Sequence, residues 1–143
     1  MAVHIYVPIC AHLVQYMKKE AARSDGSMRI SQKSLFGMTV LNLLEKMPEG
    51  VSPKPPEEPH LVLPLSERMA DEHGCYIKPE AAAMIKRWIK RAYEEEMLRF
   101  IRLQRTLYGT RTEAALIAWR ERYDITEEAR SYDADLKEWQ RKR

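Results

Sequence analysis

Cysteine is scarce. Cys10 and Cys75 are the two in 143 residues, too few for a disulfide framework, and reduced thiols in a cytoplasmic protein are expected. Long hydrophobic runs are missing as well. No apolar stretch approaches the roughly 20 residues of a membrane helix, so no membrane partner is predicted. The first residues lack a basic segment followed by a long apolar core, so no signal peptide is expected. Glycine is sparse and dispersed. Gly26, Gly37, Gly50, Gly74 and Gly109 cannot make a phosphate-cradling loop.

Catalytic groupings are lacking too. Cys10-Ala11-His12 and His73-Gly74-Cys75 hold soft ligands, but their one-residue gaps do not fit the usual zinc spacing. Neither cysteine has a recognisable orienting acid or oxyanion loop. Glu94-Glu95-Glu96 reads as a solvated acidic run rather than a spaced catalytic pair. No cofactor, metal site or reaction is predicted, and an enzyme is not expected.

What is present begins with one stretch. From Pro79 to Leu107 apolar residues recur near the 3.6-residue period, among them Ile85, Ile89, Tyr93, Met97, Ile101 and Leu107. Pro79 suits a first helical position and Gly109 suits a left-handed C-terminal cap. Such a helix is about 40 Å long, more than a small core needs. Its first half is expected to close a strand-bearing N-terminal core. Its second half is expected to support further helices.

Before it, His4 to Ile9 reads as a short strand and Ala11 to Ala22 as an amphipathic helix. The run Ser34 to Lys46 is almost wholly apolar and should be the most buried helix of this half. Pro48 to Pro59 is linker-like. His60-Leu61-Val62-Leu63-Pro64-Leu65 then repeats the character of His4-Ile5-Tyr6-Val7-Pro8-Ile9, which suggests two similar strands lying side by side. Met28-Arg29-Ile30 and Cys75-Tyr76-Ile77 are candidates for further brief strands.

After Gly109, Thr110 or Thr112 can cap a helix from about Glu113 to Tyr123, and Ser131 can cap a last one, Tyr132 to about Lys142. Tyr132, Leu136 and Trp139 would form the apolar face of that last helix. The predicted fold class is α+β, mainly α. A small short-stranded sheet with helices precedes a long central helix, and helix-turn-helix-like helices follow it. The expected organisation is an α+β core over 1–108 and a helical basic subdomain over 109–143, packed on the long helix.

Charge points the same way. Residues 1–78 carry nine basic and nine acidic residues, whereas residues 79–143 carry fifteen and twelve, so the whole +3 excess lies in the second part. A basic helical end suits an anionic partner. On the last helix Lys137, Gln140, Arg141, Lys142 and Arg143 are of the types that grip phosphate and base edges. On the long helix Lys86, Arg87, Lys90 and Arg91 form like-charge i,i+4 pairs that an anion would relieve. Arg99, Arg102 and Arg105 continue the basic residues, with Glu95–Arg99 expected as a favourable pair. These observations favour a non-enzymatic nucleic-acid-binding or regulatory protein, with DNA the preferred partner. The alternative is an interaction or structural module, a homo-oligomer included, that docks through the long helix and the helices bearing Trp88, Trp119 and Trp139.

Ile5-Tyr6-Val7-Pro8-Ile9 at one end, and Tyr123-Asp124-Ile125-Thr126-Glu127-Glu128 with the Trp139-Gln140-Arg141-Lys142-Arg143 run at the other, resemble small proteins carried by phages and other mobile genetic elements. The resemblance touches both ends and leaves the middle loosely matched. It implies no particular activity, only a DNA-linked role.

Overall fold

The computed structural model describes residues 3–24, 34–51 and 54–142, and only the backbone of residues 22–24. The fold is α+β and mainly helical. Its elements are β1 (Val3–Pro8), α1 (Ala11–Ser24), α2 (Leu35–Leu43), β2 (His60–Leu65), α3 (Glu67–His73), α4 (Pro79–Tyr108), α5 (Thr112–Arg122) and α6 (Tyr132–Lys142). They form two compact units. The first joins Met1–Ile9 to Ala21–Arg87, and the second joins Cys10–Glu20 to Trp88–Arg143.

In the first unit β1 and β2 pair antiparallel, with Val3 opposite Leu65 and Pro8 opposite His60. Side chains alternate across the pair, so Ile5, Val7, Leu61, Leu63 and Leu65 are buried while His4 and Val62 are exposed. The Ile9 N–H donates to the Pro59 carbonyl at 3.2 Å, which fixes the parity of the ladder. Pro8 and Pro64 therefore fall at positions whose N–H would point away from the partner strand, where its loss costs no ladder bond.

Helix α2 starts at Ser34, whose hydroxyl accepts the Gly37 N–H at 2.9 Å. It is not the deeply buried helix its composition suggests. Gly37, Val40 and Leu41 are buried, but Leu35 and Met38 are exposed, because a nine-residue helix covered on one side cannot hide apolar residues placed all round it. Cys75-Tyr76-Ile77 does not form a strand either. Tyr76 makes a single antiparallel bridge to Glu45, through bonds of 2.8 and 2.9 Å. That bridge brings the Glu45 backbone against Gly74, where an added Cβ would lie 2.1 Å from the Glu45 carbonyl oxygen. Gly74 also has φ +90°, so both space and conformation require glycine there. The candidate strand Met28–Ile30 lies outside the described residues.

On α4 the buried residues recur every fourth position, Ala81, Ile85, Ile89, Tyr93, Met97 and Ile101. The helix begins at Pro79 and closes with Gly109 at φ +63°, whose N–H reaches the Arg105 carbonyl at 3.1 Å.

In the second unit the core is a cluster of aromatic rings. Tyr16 of α1, Tyr93 of α4, and Trp119 and Tyr123 at the end of α5 are all buried. Their ring centroids lie 5.4 Å apart for Tyr16–Tyr93, 5.6 Å for Tyr93–Trp119 and 4.5 Å for Trp119–Tyr123. Helix α5 lacks the expected threonine cap. Its cap position is Arg111, and the Thr110 hydroxyl turns back to Gln104. It ends with Asp124 in the left-handed region, φ 52°, and with the Ile125 N–H donated to the Arg120 carbonyl at 2.9 Å, a Schellman closure. Helix α6 begins as expected, with the Ser131 hydroxyl accepting the Ala134 N–H at 3.1 Å.

Candidate nucleic-acid interface

Helices α5 and α6 follow α4 in a helix-turn-helix-like arrangement. Their relation is fixed by a buried ionic knot. Asp135, on the first turn of α6, is fully buried and accepts from Arg120 Nη1 and Arg130 Nε, each at 2.7 Å. The Tyr93 hydroxyl adds a bond to the same carboxylate at 3.1 Å. Arg120 continues to the Arg130 carbonyl at 2.6 Å and to Glu127 at 3.1 Å, and Glu127 accepts the Tyr132 N–H at 2.8 Å. One guanidinium thus ties α5, the connection and α6 together. A carboxylate inside a helical core needs several such donors to offset its lost hydration. Burial and the neighbouring Asp135 push the Tyr93 hydroxyl above the ordinary tyrosine range, so it serves as a donor.

The inward face of α6 therefore differs from the expected apolar one. Asp135, Glu138 and Trp139 are buried, whereas Tyr132 and Leu136 are only partly covered. Glu138 draws in two of the candidate cations. Arg141 pairs with it directly, and Lys142 Nζ lies 3.7 Å from Glu138 Oε1 and 3.6 Å from Glu94 Oε2. Both cations stay open to solvent on one side, but each is held by a carboxylate of its own chain. Lys137 and Gln140 are exposed. Arg143 lies outside the described residues.

The candidates on α4 divide between the units. Lys86 and Arg87 belong to the first unit and are exposed. Lys90 and Arg91 belong to the second, and both are exposed. Arg91 is bound to Glu95 at 2.9 Å, so the acid expected to pair with Arg99 serves Arg91 instead.

That exchange leaves a basic surface outside the candidate set. Arg99, Arg102 and Arg105 are exposed, and among the described residues none is ion-paired with a carboxylate. Arg102 Nη2 donates to the Lys142 carbonyl at 3.4 Å, and Arg105 lies 5.8 Å from the centroid of the Trp139 ring. At 100° per residue, Arg91, Arg99, Arg102 and Arg105 all leave the axis within about 60° of the direction opposite buried Tyr93. Glu95, Leu98, Arg99, Arg102, Leu103 and Thr106 line a shallow groove of about 470 Å³ on this side. The signal was present in the sequence as arginines at i, i+3 and i+6. What the sequence could not tell is which neighbouring acids were already engaged.

His12 lies in the second unit, buried against Tyr93 with ring centroids 5.0 Å apart, and its Nε2 has no hydrogen-bond partner among the described residues. Burial, then the Arg130, Lys90 and Arg120 charges, lower its pKa to about 4. It is held neutral beside a cationic cluster. Among the described residues no group of three or more potential metal ligands lies together. No helix formed by those residues is long and apolar enough to cross a membrane.

Comparison of the chain with protein-family models, with curated proteins and with solved structures yields no match.

Proposed function

We propose that this is a non-enzymatic protein that binds nucleic acid, duplex DNA before other forms, through its C-terminal helical unit. The observation that carries the reading is the exposed cationic surface of that unit. Lys90, Arg99, Arg102, Arg105 and Lys137 all face solvent without a carboxylate partner among the described residues, on helices linked through buried Asp135 by Tyr93, Arg120 and Arg130. Cations left unpaired on helices attract the phosphate backbone and release its counterions on contact. A regulatory role linked to DNA accords with the resemblance to proteins of mobile elements.

Fluorescence anisotropy with labelled duplex tests the proposal. Binding at low salt that weakens steeply as salt rises is expected. Unchanged anisotropy at protein concentrations well above the non-specific range of about 10⁻⁴ to 10⁻⁶ M would end the proposal.

A second reading, self-association through α4, is favoured by a separate observation. Leu103, Leu107 and Tyr108 are 49, 65 and 73% exposed near the end of that helix. Sedimentation showing a dimer insensitive to salt, in a protein without affinity for nucleic acid, would replace the first reading with this one.

A further inference from the structure

We infer that the arginine face of α4, rather than the outer side of α6, makes the contact, and that it takes the sugar–phosphate backbone of duplex DNA with little regard for sequence. This rests on the nucleic-acid reading above and says which surface and which feature of the polymer carry it.

A helix-turn-helix analogy would place α6 in the groove. The first turn of a recognition helix normally meets the bases. The first turn of α6 offers phosphate no cation where it should approach: Asp133 is exposed, and Asp135 is buried and engaged by Arg120 and Arg130. Farther along, Arg141 and Lys142 are held by Glu138 and Glu94. Lys137 and Gln140 remain. Two side chains on one exposed strip cannot specify a site of several base pairs, because each bidentate reader discriminates at one position.

The α4 face has the opposite character. Arg99, Arg102 and Arg105 rise along the axis over about 9 Å, and each DNA strand offers one phosphate per about 3.4 Å of duplex axis. Three forked guanidiniums along one helix therefore match about three consecutive phosphates of a strand. The nearest acid on this face, Glu95, is neutralised by Arg91 at 2.9 Å. Thr106 adds a hydroxyl donor and Leu103 an apolar contact to the same groove. Among the described residues this strip presents no amide or acid fork, free of other partners, to read adenine or cytosine.

The test uses the full chain, two short duplexes of unrelated sequence, their single strands and an RNA duplex, with affinity measured from low to high salt. The wild type should bind both DNA duplexes within about threefold of each other. Replacing Arg99, Arg102 and Arg105 together by alanine should lower the magnitude of the log–log salt slope by about 3 and weaken low-salt binding at least tenfold. The Arg→Lys triple variant retains charge and should keep the slope, which separates lost contacts from lost folding. Lys137→Ala with Gln140→Ala should leave the slope unchanged, whereas a lost phosphate contact at Lys137 would lower its magnitude by about 0.9.

Wild-type binding with an unaltered slope in the alanine variant would overturn this inference and leave the binding reading standing. A strong preference for one duplex sequence, or tighter binding to single strands or RNA, would overturn it as well. A wild-type protein that binds none of these probes would remove both.

Discussion

His12 makes acid the weak side of this protein's stability. Its pKa is about 4 in the fold, against an ordinary value of 6.5. Above the ordinary value both folded and unfolded chains carry it neutral, and it contributes no pH dependence. As pH falls below 6.5 the unfolded chain takes up a proton that the fold refuses, so stability declines until the folded value is reached. The loss expected across that window is on the order of 3 kcal/mol. Urea midpoints at a series of pH values should show the decline in the wild type and a flatter limb in His12→Phe. Asp135 gives a larger effect at one stroke. Asp135→Ala leaves Arg120 and Arg130 without their buried counter-charge and should cost about 3–5 kcal/mol in urea unfolding. A loss below about 1 kcal/mol would mean that solvent already reaches the knot. Gly74→Ala forces a Cβ into the Glu45 carbonyl at an unfavourable φ, and a thermal melt should register a loss of at least about 2 kcal/mol.

At the scale of elements, helix ends separate what sequence reveals from what it withholds. Ser131 and Pro79 could be read directly, because a cap or a first-turn proline acts on its own neighbours. Thr110 and Thr112 have the right chemistry but do not cap, since Thr110 turns to Gln104 and the chain enters α5 at Arg111. Ser131→Ala should therefore cost about 1 kcal/mol, whereas Thr112→Ala should stay within about 0.5 kcal/mol, by chemical denaturation. The paired strands were also legible, as His4 to Ile9 and His60 to Leu65 share one pattern, though the antiparallel register, with His4 opposite Pro64 and Pro8 opposite His60, is not written in it. The packing of α6 was not. Its apolar residues suggest a face of Tyr132, Leu136 and Trp139, but Asp135 turns inward to Tyr93 and Arg120, distant in sequence, and Glu138 is buried while pairing with Arg141 and Lys142 of its own helix. The candidate interface followed the same course. Residue type placed cations on α4 and α6, and only the three-dimensional partners decide which of them remain available. Arg141 and Lys142 are engaged, and Arg99, Arg102 and Arg105 are left.

At the scale of the molecule, neither unit is one continuous piece of chain. The second takes Cys10–Glu20 from near the start and everything from Trp88 onward. Tyr16 lies in its aromatic core and Lys19 bonds Asp124 at 2.7 Å, so the early segment is structural there. A fragment limited to residues 88–143 should lack the sharp thermal transition of the whole chain, as followed by circular dichroism. A peptide covering residues 10–20, added in excess, should restore part of it. Joining segments across residues 21–87 costs roughly 4 kcal/mol of loop-closure entropy beyond a constant, which the ring cluster must offset.

This threading also sets a timetable for birth. At about 5–20 residues per second, a ribosome releases the segment around Tyr16 several seconds before Tyr93 and Trp119 exist to receive it. Through that interval its buried-to-be aromatic and aliphatic side chains are open to chaperones and to other nascent chains. The second unit can assemble only when synthesis has passed Asp135, so the surface proposed to meet DNA takes shape among the last parts of the described chain.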